Sequence, residues 1–376
     1  LLCAHGATLE TLGLAFAAYS LAAILAEVPS GIFADLHGRK NSFLLSCALQ
    51  AAGGLGLLLS GSFAAVFIAM LLQGLGRAFS SGSVDALVME ESIARGGEAE
   101  IGKTVSLLSV FQCAGISLGA LVGGFLPQAG GYFRHIVLRT ALVGAVGILT
   151  AFTVREAPAR SGRRGLRTQL AQVGSLLREK RNLRYLLFCA VVIMVMQAMI
   201  ETYWQPQFLS LAGEHAQRWL GVLSAGAFLA TVCGSLLMGR ALKTERENAC
   251  WTAYLALSAS MAALVLLLAR QESPAGFSAS YLGLYLAIGL LAVPEQSILN
   301  LEAENAVRAS LLSVLSFAAQ AGGLIGALLA AGLLLRGEIS LAWTVGALLA
   351  AGGTASVFFR RRRTLRVPVP ESGKQI

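Results

Sequence analysis

The chain has 376 residues, of which 56% are hydrophobic and 13% charged, with a mean hydropathy of +0.70 and a formal charge of +9. A soluble domain carries about a quarter charged residues, so a water-soluble enzyme or binding module is excluded. The apolar residues fall in runs of about twenty, long enough for a helix to cross a ~30 Å hydrocarbon layer, which places the chain among multi-pass membrane proteins.

Taken in chain order, spans are expected near 11–35, 42–61, 63–91, 103–127 and 136–154, and after a polar break near 184–212, 218–242, 249–269, 278–301, 308–334 and 340–359. The links are short, so backbone polar groups are satisfied inside helices and consecutive helices run antiparallel. On the side that carries the stretch Gly31 to Lys40, the loops hold twenty-three Lys and Arg; the other side holds five (Arg134, Arg139, Arg218, Arg270, Arg336), and Arg77 lies inside a span. The positive-inside rule therefore predicts that the basic side, with the carboxyl end, is cytoplasmic in a cell inner membrane. Spread over separate loops, these cations are an orientation signal rather than a nucleic-acid-binding face. Eleven spans would leave the amino end outside. Together with the apolar stub LLCA at Leu1, this leads us to expect one further helix upstream and twelve in the intact protein.

The expected organisation is an amino-terminal bundle at 1–154, a cytoplasmic linker at 155–183, a carboxyl-terminal bundle at 184–359 and a basic tail at 360–376. In the linker Leu166, Leu170, Val173 and Leu177 recur at helical spacing among basic residues, which predicts an amphipathic helix on the membrane surface; a disordered basic linker is the alternative. The two bundles echo each other. SLLSV occurs at 106–110 and again at 310–314, and at the same offset Gly119 meets Gly323 and Glu91 meets Glu295, which predicts a parallel repeat of six helices.

The connection GIFADLHGRK places Gly31, Asp35, Gly38, Arg39 and Lys40 in the pattern G-x-x-x-D-x-x-G-R-K. With the helix count, the central linker and the repeat, this resembles the loop between the second and third helices of the major facilitator superfamily, and locally its bacterial efflux-type members. The resemblance implies an all-α membrane fold of two six-helix bundles related by a pseudo-two-fold axis. It also implies that these five residues form a charged latch holding one conformation of a rocking transporter. Gly31 would permit close helix contact, Asp35 would complement the positive end of a helix from the other half, and Arg39 would pair with Asp85, Glu90 or Glu91. The matching loop of the second half, GRALKTERE, sets Lys243 where Asp35 stands, so a second latch would work differently. GISLGALVGG, with Gly115, Gly119, Gly123 and Gly124, resembles the antiporter pattern G-x-x-x-G-P-x-x-G-G except that Ala120 replaces the proline. Small-residue packing common to any membrane bundle would produce the same spacing.

Charges inside spans each cost roughly 2.5–3.5 kcal/mol unless paired or hydrated, and so mark functional positions. Glu27, Gly31 and Asp35 lie on one helix face, and Gln197, Glu201, Trp204 and Phe208 form a stripe on another helix. Family members line a central cavity with four helices, three of them corresponding to the spans at 63–91, 184–212 and 278–301. The resemblance therefore makes Arg77, Asp85, Glu201, Trp204, Gln205, Glu295, Gln296 and Asn300 the cavity candidates. Glu27, Glu201 and Asp85 are the candidates for proton coupling. A structural pairing of Arg77 with Glu27 or Asp85 is the competing reading. Six scattered cysteines without C-x-x-C and isolated histidines give no metal site, no cofactor is expected, and no phosphate-binding loop is present. The expected function is export of a small amphipathic solute or drug by alternating access, in antiport with protons, by a monomer in the lipid bilayer. Uptake of a polar metabolite by symport or facilitation is the alternative, and a non-transporting receptor or scaffold on the same fold is the third reading.

Overall fold

The computed structural model describes residues 2, 6–59, 61–81, 83–84, 87–88, 91–92, 101–125, 131–154, 174–175, 177–213, 216–242, 247–302, 308–335 and 338–365. Its long helices are α1 (Leu9–His37), α2 (Arg39–Leu58), α3 (Phe63–Ser80), α4 (Ile101–Phe125), α5 (Gly131–Thr153), α6 (Arg181–Ala212), α7 (Gln217–Ala241), α8 (Glu247–Leu268), α9 (Pro274–Glu302), α10 (Arg308–Leu334) and α11 (Ile339–Leu365). Among the described residues ten helices are long and apolar enough to cross a membrane; in α4 only the shorter stretch Val110–Phe125 is apolar. Each helix overlaps an expected span, but α3 ends at Ser80 where the span was expected to run to 91, which puts Arg77 in its last turn. The expected tail begins differently, because α11 runs on to Leu365 and carries Arg360, Arg361, Arg362 and Arg363 as helix. Most of the linker, including Leu166, Leu170 and Val173, lies outside the described residues; Gly174, Ser175, Leu177, Arg178 and Glu179 are helical.

Local chemistry sets the helix ends. Thr8 caps α1 by accepting from the Thr11 N–H at 3.2 Å, while the Thr8 N–H donates to Thr11 Oγ1 at 2.8 Å, a reciprocal box that satisfies two donors the helix leaves over. Ser62 does the same for α3 through the Ala65 N–H. Pro274 opens α9, where its missing N–H costs nothing. Between α1 and α2 stands one residue, Gly38, at φ +93°, which only glycine adopts without strain. The GIFADLHGRK stretch is thus not a loop: it is a helix end, one glycine and a helix start.

In the first half, α3 packs on both α1 and α2, and α2 packs on α5; in the second half, α9 packs on α7 and α8, and α6 on α10 and α11. The halves meet through α1 with α10 and α4 with α7. Small residues allow the tight approaches. A Cβ on Gly76 would stand 2.6 Å from the Gln50 side chain, and one on Gly322 would stand 2.6 Å from the Val191 carbonyl. The two cores differ in kind. The second half buries Trp251, Tyr254, Phe277, Tyr281 and Trp343, whereas the first is built around Ala15, Ala18, Val66, Ala69 and Met70.

At glycines, two close approaches between the halves lie away from the basic face. A Cβ on Gly124 at the end of α4 would stand 2.5 Å from Gly221 Cα at the start of α7. One on Gly13, early in α1, would stand 2.8 Å from both the Ala327 carbonyl and the Ala331 Cβ of α10. At the other end of α1, a Cβ on Gly31 would meet nothing within 4 Å. The described conformer is therefore drawn together at the end remote from the Lys and Arg.

Candidate functional site in the membrane interior

Antiparallel runs bring the carboxyl ends of α1 and α3 and the amino end of α2 to the basic face. Phe33 of α1 packs edge-on against Phe79 of α3 at 5.5 Å and stacks on His37 at 4.4 Å. Ser42 and Ser46 of α2 donate to the Phe79 and Gly76 carbonyls of α3 at 2.9 and 2.7 Å, so the three ends form one unit. Arg39 and Lys40 sit in the first turn of α2, where the helix dipole disfavours cations. Lys40 offsets this by donating from Nζ to the Ala151 carbonyl in the last turn of α5 at 2.8 Å, at the negative end of that helix. Of the expected latch, the backbone of Asp35 is helical but its side chain lies outside the described residues, as do Asp85 and Glu90. Glu91 is described and exposed. The close helix contact expected at Gly31 is absent among the described residues, because this end of α1 stands apart from the other half.

One to two turns deeper lies a polar cluster. Glu27 is half-buried, with Arg77 and Ser81 in its electrostatic surroundings. The proximity of Arg77 and Glu27, a matter of expectation in the sequence, is thus present in the fold. Arg77 and Arg139 are also the cations in the electrostatic surroundings of the Tyr19 phenol. Arg139 was expected on the outer side; it lies instead within the apolar part of α5 and donates from Nη2 to Gln73 Oε1 at 2.5 Å. Gln73 in turn donates to the Gln50 carbonyl at 3.0 Å, so its amide is fixed from both ends. Sequence reasoning passed over Tyr19, Gln73 and Arg139. Gln73 had a signal, since it stands four residues before Arg77 on the same helix face.

In the second half, Tyr285 of α9 donates from its hydroxyl to Glu201 Oε1 of α6, and Tyr281 donates to Tyr285 at 3.3 Å. Glu201 lies deep among protein atoms yet keeps an exposed side chain. Gln205, one turn on, is exposed on the same face. Trp204 is not open in this way. It is 3% exposed and stacks on Tyr281 with ring centroids 4.7 Å apart, so it supports the Glu201 partners from behind. Glu295 also departs from the expected cavity wall: its electrostatic neighbours are Tyr254 of α8 and Cys189 of α6, both fully buried in the bundle. Gln296 and Asn300, on the same helix, are exposed. The Tyr281–Tyr285 relay was missed because no spacing in α9 distinguishes those tyrosines from core aromatics.

The arrangement is two helical halves, each carrying a carboxyl group within its helices, Glu27 near Arg77 and Glu201 held by the Tyr285 hydroxyl, with a charged unit at the basic ends of α1–α3. No curated protein matches the sequence significantly. The fold is similar to two crystal structures of the nucleoside transporter NupG. One of them, a point mutant, gives a TM-score of 0.76 at 13% identity, covering 95% of this chain and 91% of that one. The other structure gives 0.75 at 15% identity, covering 96% and 92%. Residues 3–307 match the sequence profile of the Major Facilitator Superfamily. With that match across most of the chain and the two-bundle fold beneath it, the protein belongs to the major facilitator superfamily of membrane transporters.

Proposed function

We propose that the protein exports a small amphipathic solute by alternating access, in exchange for protons entering the cell. The observation that carries this reading is the placement of Glu27. A half-buried carboxyl group, with Arg77 in its electrostatic surroundings, stands on the same helix face as Gly31 and Asp35. An acid whose exposure to water changes as the halves rock takes up and releases a proton in step with that motion. Glu201, reachable from the cavity and held by Tyr285, is the second coupling position, and Asp85 the third. Arg77, Glu201, Gln205, Gln296 and Asn300 are the residues we assign to solute contact, with Trp204 and Glu295 supporting them. Gly31, Asp35, Gly38, Arg39 and Lys40 act as the latch that engages when the basic ends close.

In this reading the units 1–154 and 184–359 rock as a monomer in the inner membrane, tethered by 155–183, with the basic face and the carboxyl end cytoplasmic. Inverted membrane vesicles energised with a proton gradient test it. Wild-type protein should accumulate an exported solute, and Glu27→Gln should abolish proton-driven accumulation while downhill exchange persists. Full proton-coupled transport by Glu27→Gln would leave Glu27 a structural role only. Uptake is the second reading, supported by Ala120 in place of the antiporter proline and by the open space at Gly115 and Gly119. Solute accumulation in right-side-out rather than inverted vesicles would establish it. Absence of flux in either orientation would favour a receptor or scaffold.

A further inference from the structure

On the membrane-facing side of the second half, α6, α10 and α11 enclose a groove of about 530 Å³. Its walls are Phe188, Val192 and Val195 of α6 and Leu349, Gly352 and Ser356 of α11, with Ile325 of α10 among the residues that line it. The spacing on each helix, i, i+4, i+7 on α6 and i, i+3, i+7 on α11, defines one face. Extended toward the basic face, the α6 stripe reaches Arg184 and then Arg181; the α11 stripe reaches Arg360 and then Arg363. Both helices have their basic ends on the same side, so helical spacing puts four arginines on the continuations of the two stripes beyond one end of the apolar groove.

These arginines differ from their neighbours. Arg361, between them in sequence, turns inward: it donates to Asn182 Oδ1 at 2.7 Å and to Glu247 Oε1 at 3.0 Å, and lies over the Trp251 ring at 4.4 Å. Lys180 is paired with Glu302. Two acids of this face, Glu247 and Glu302, are thus engaged by Arg361 and Lys180. Arg181 and Arg184 are exposed and are held by neutral groups. Arg181 Nε donates to the Tyr185 hydroxyl at 2.6 Å, and Arg184 Nη1 donates to the Leu177 and Arg178 carbonyls at 3.0 and 2.8 Å. Those bonds fix the guanidinium groups in place without neutralising them.

We propose that this groove is the seat of an anionic phospholipid, with one acyl chain between α6 and α11 and its phosphate between Arg184 and Arg360, flanked by Arg181 and Arg363. The occupant follows from charge complementarity. A zwitterionic lipid would fill the apolar groove equally well but would bring its own cation to the arginine mouth, whereas an anionic headgroup brings none. Dispersion contacts along the groove walls then add to the headgroup attraction.

The test is native mass spectrometry of the purified full chain titrated with dioleoyl phosphatidylglycerol or dioleoyl phosphatidylcholine, which needs no variant for its first arm. Phosphatidylglycerol is expected to bind preferentially, and Arg184→Gln with Arg360→Gln to reduce its affinity roughly 20-fold at about fivefold per arginine, while phosphatidylcholine is unaffected. Gly352→Leu fills the groove at a position where a Cβ meets nothing within 4 Å. It should lower phosphatidylglycerol binding without lowering the thermal unfolding temperature. Equal binding of the two lipids by wild type, a preference that survives the double arginine change, or undiminished phosphatidylglycerol binding by Gly352→Leu would each overturn the proposal. So would displacement of the lipid by soluble glycerol phosphate, which has no chain to place in the groove.

Discussion

Gly124 and Gly221 make a sharp test of the conformational cycle, because they touch backbone to backbone across the two halves. A Cβ placed on Gly124 would lie 2.5 Å from Gly221 Cα and 2.6 Å from its nitrogen, about 0.9 Å short of the 3.4 Å at which ordinary contact begins. Neither neighbour is a flexible side chain, so Gly124→Ala must push α4 and α7 apart. Overpacking of this kind costs roughly 1–3 kcal/mol. Alanine also favours helix over glycine by about 1 kcal/mol. That gain is present in every conformer in which α4 stays helical, so it cancels in the equilibrium between conformers and the strain remains. A destabilisation of roughly 1–3 kcal/mol of the conformer closed at the outer end shifts its population by about 5- to 150-fold. Spin labels at Phe133 of α5 and Trp219 of α7, both exposed and on opposite halves, read the outer separation by double electron–electron resonance in a background without native cysteines. Gly124→Ala should enlarge the long-distance population, while Gly115→Ala, where a Cβ meets open space, should leave the distribution unchanged. An unaltered distribution in Gly124→Ala, or the same change in both variants, would refute the argument that this contact sets the conformer.

Asp35→Asn removes the charge of the latch while keeping its shape. Transport is expected to fall at normal expression, through a term of about 0.3–1 kcal/mol if the site is exposed and up to ~2 if partly buried, and unchanged transport with unchanged accessibility would reject the latch. Arg361→Met retains bulk but strands the partners gathered on that guanidinium. Because Glu247 is 45% exposed, the expected loss is at the low end for such a pair, about 2 kcal/mol, read as a lower unfolding temperature in detergent that Arg361→Lys restores only in part. Cysteines introduced in the 155–184 segment or after Arg363 should resist a membrane-impermeant maleimide applied to intact cells; labelling from outside would reverse the orientation argued from Lys and Arg.

What the sequence determined by itself was everything that depends on the bilayer as solvent. Backbone groups in hydrocarbon must pair within their own helix, so runs of apolar residues fix the number and direction of helices without reference to packing. The asymmetry of Lys and Arg, the break at 155–184 and the echo of SLLSV were legible for the same reason, each being a one-dimensional pattern. Glu27, Arg77 and Glu201 stood out because an ionisable group in a span is costly whatever surrounds it. Tertiary structure alone decided which of these groups meet. Helical periodicity assigns a face but not the helix that the face will oppose, so the coupling of Arg77 to Glu27 and Tyr19, and of Arg139 to Gln73, could not be read from spacing. The same holds for Trp204, which has the spacing of a cavity residue but lies buried on Tyr281, and for Tyr285, whose hydroxyl finds Glu201 from a helix 84 residues away. The groove walled by Phe188, Val192 and Leu349 needed three helices to be brought side by side. Sequence placed Arg184 and Arg360 at helix ends, and only packing set those two helices next to each other.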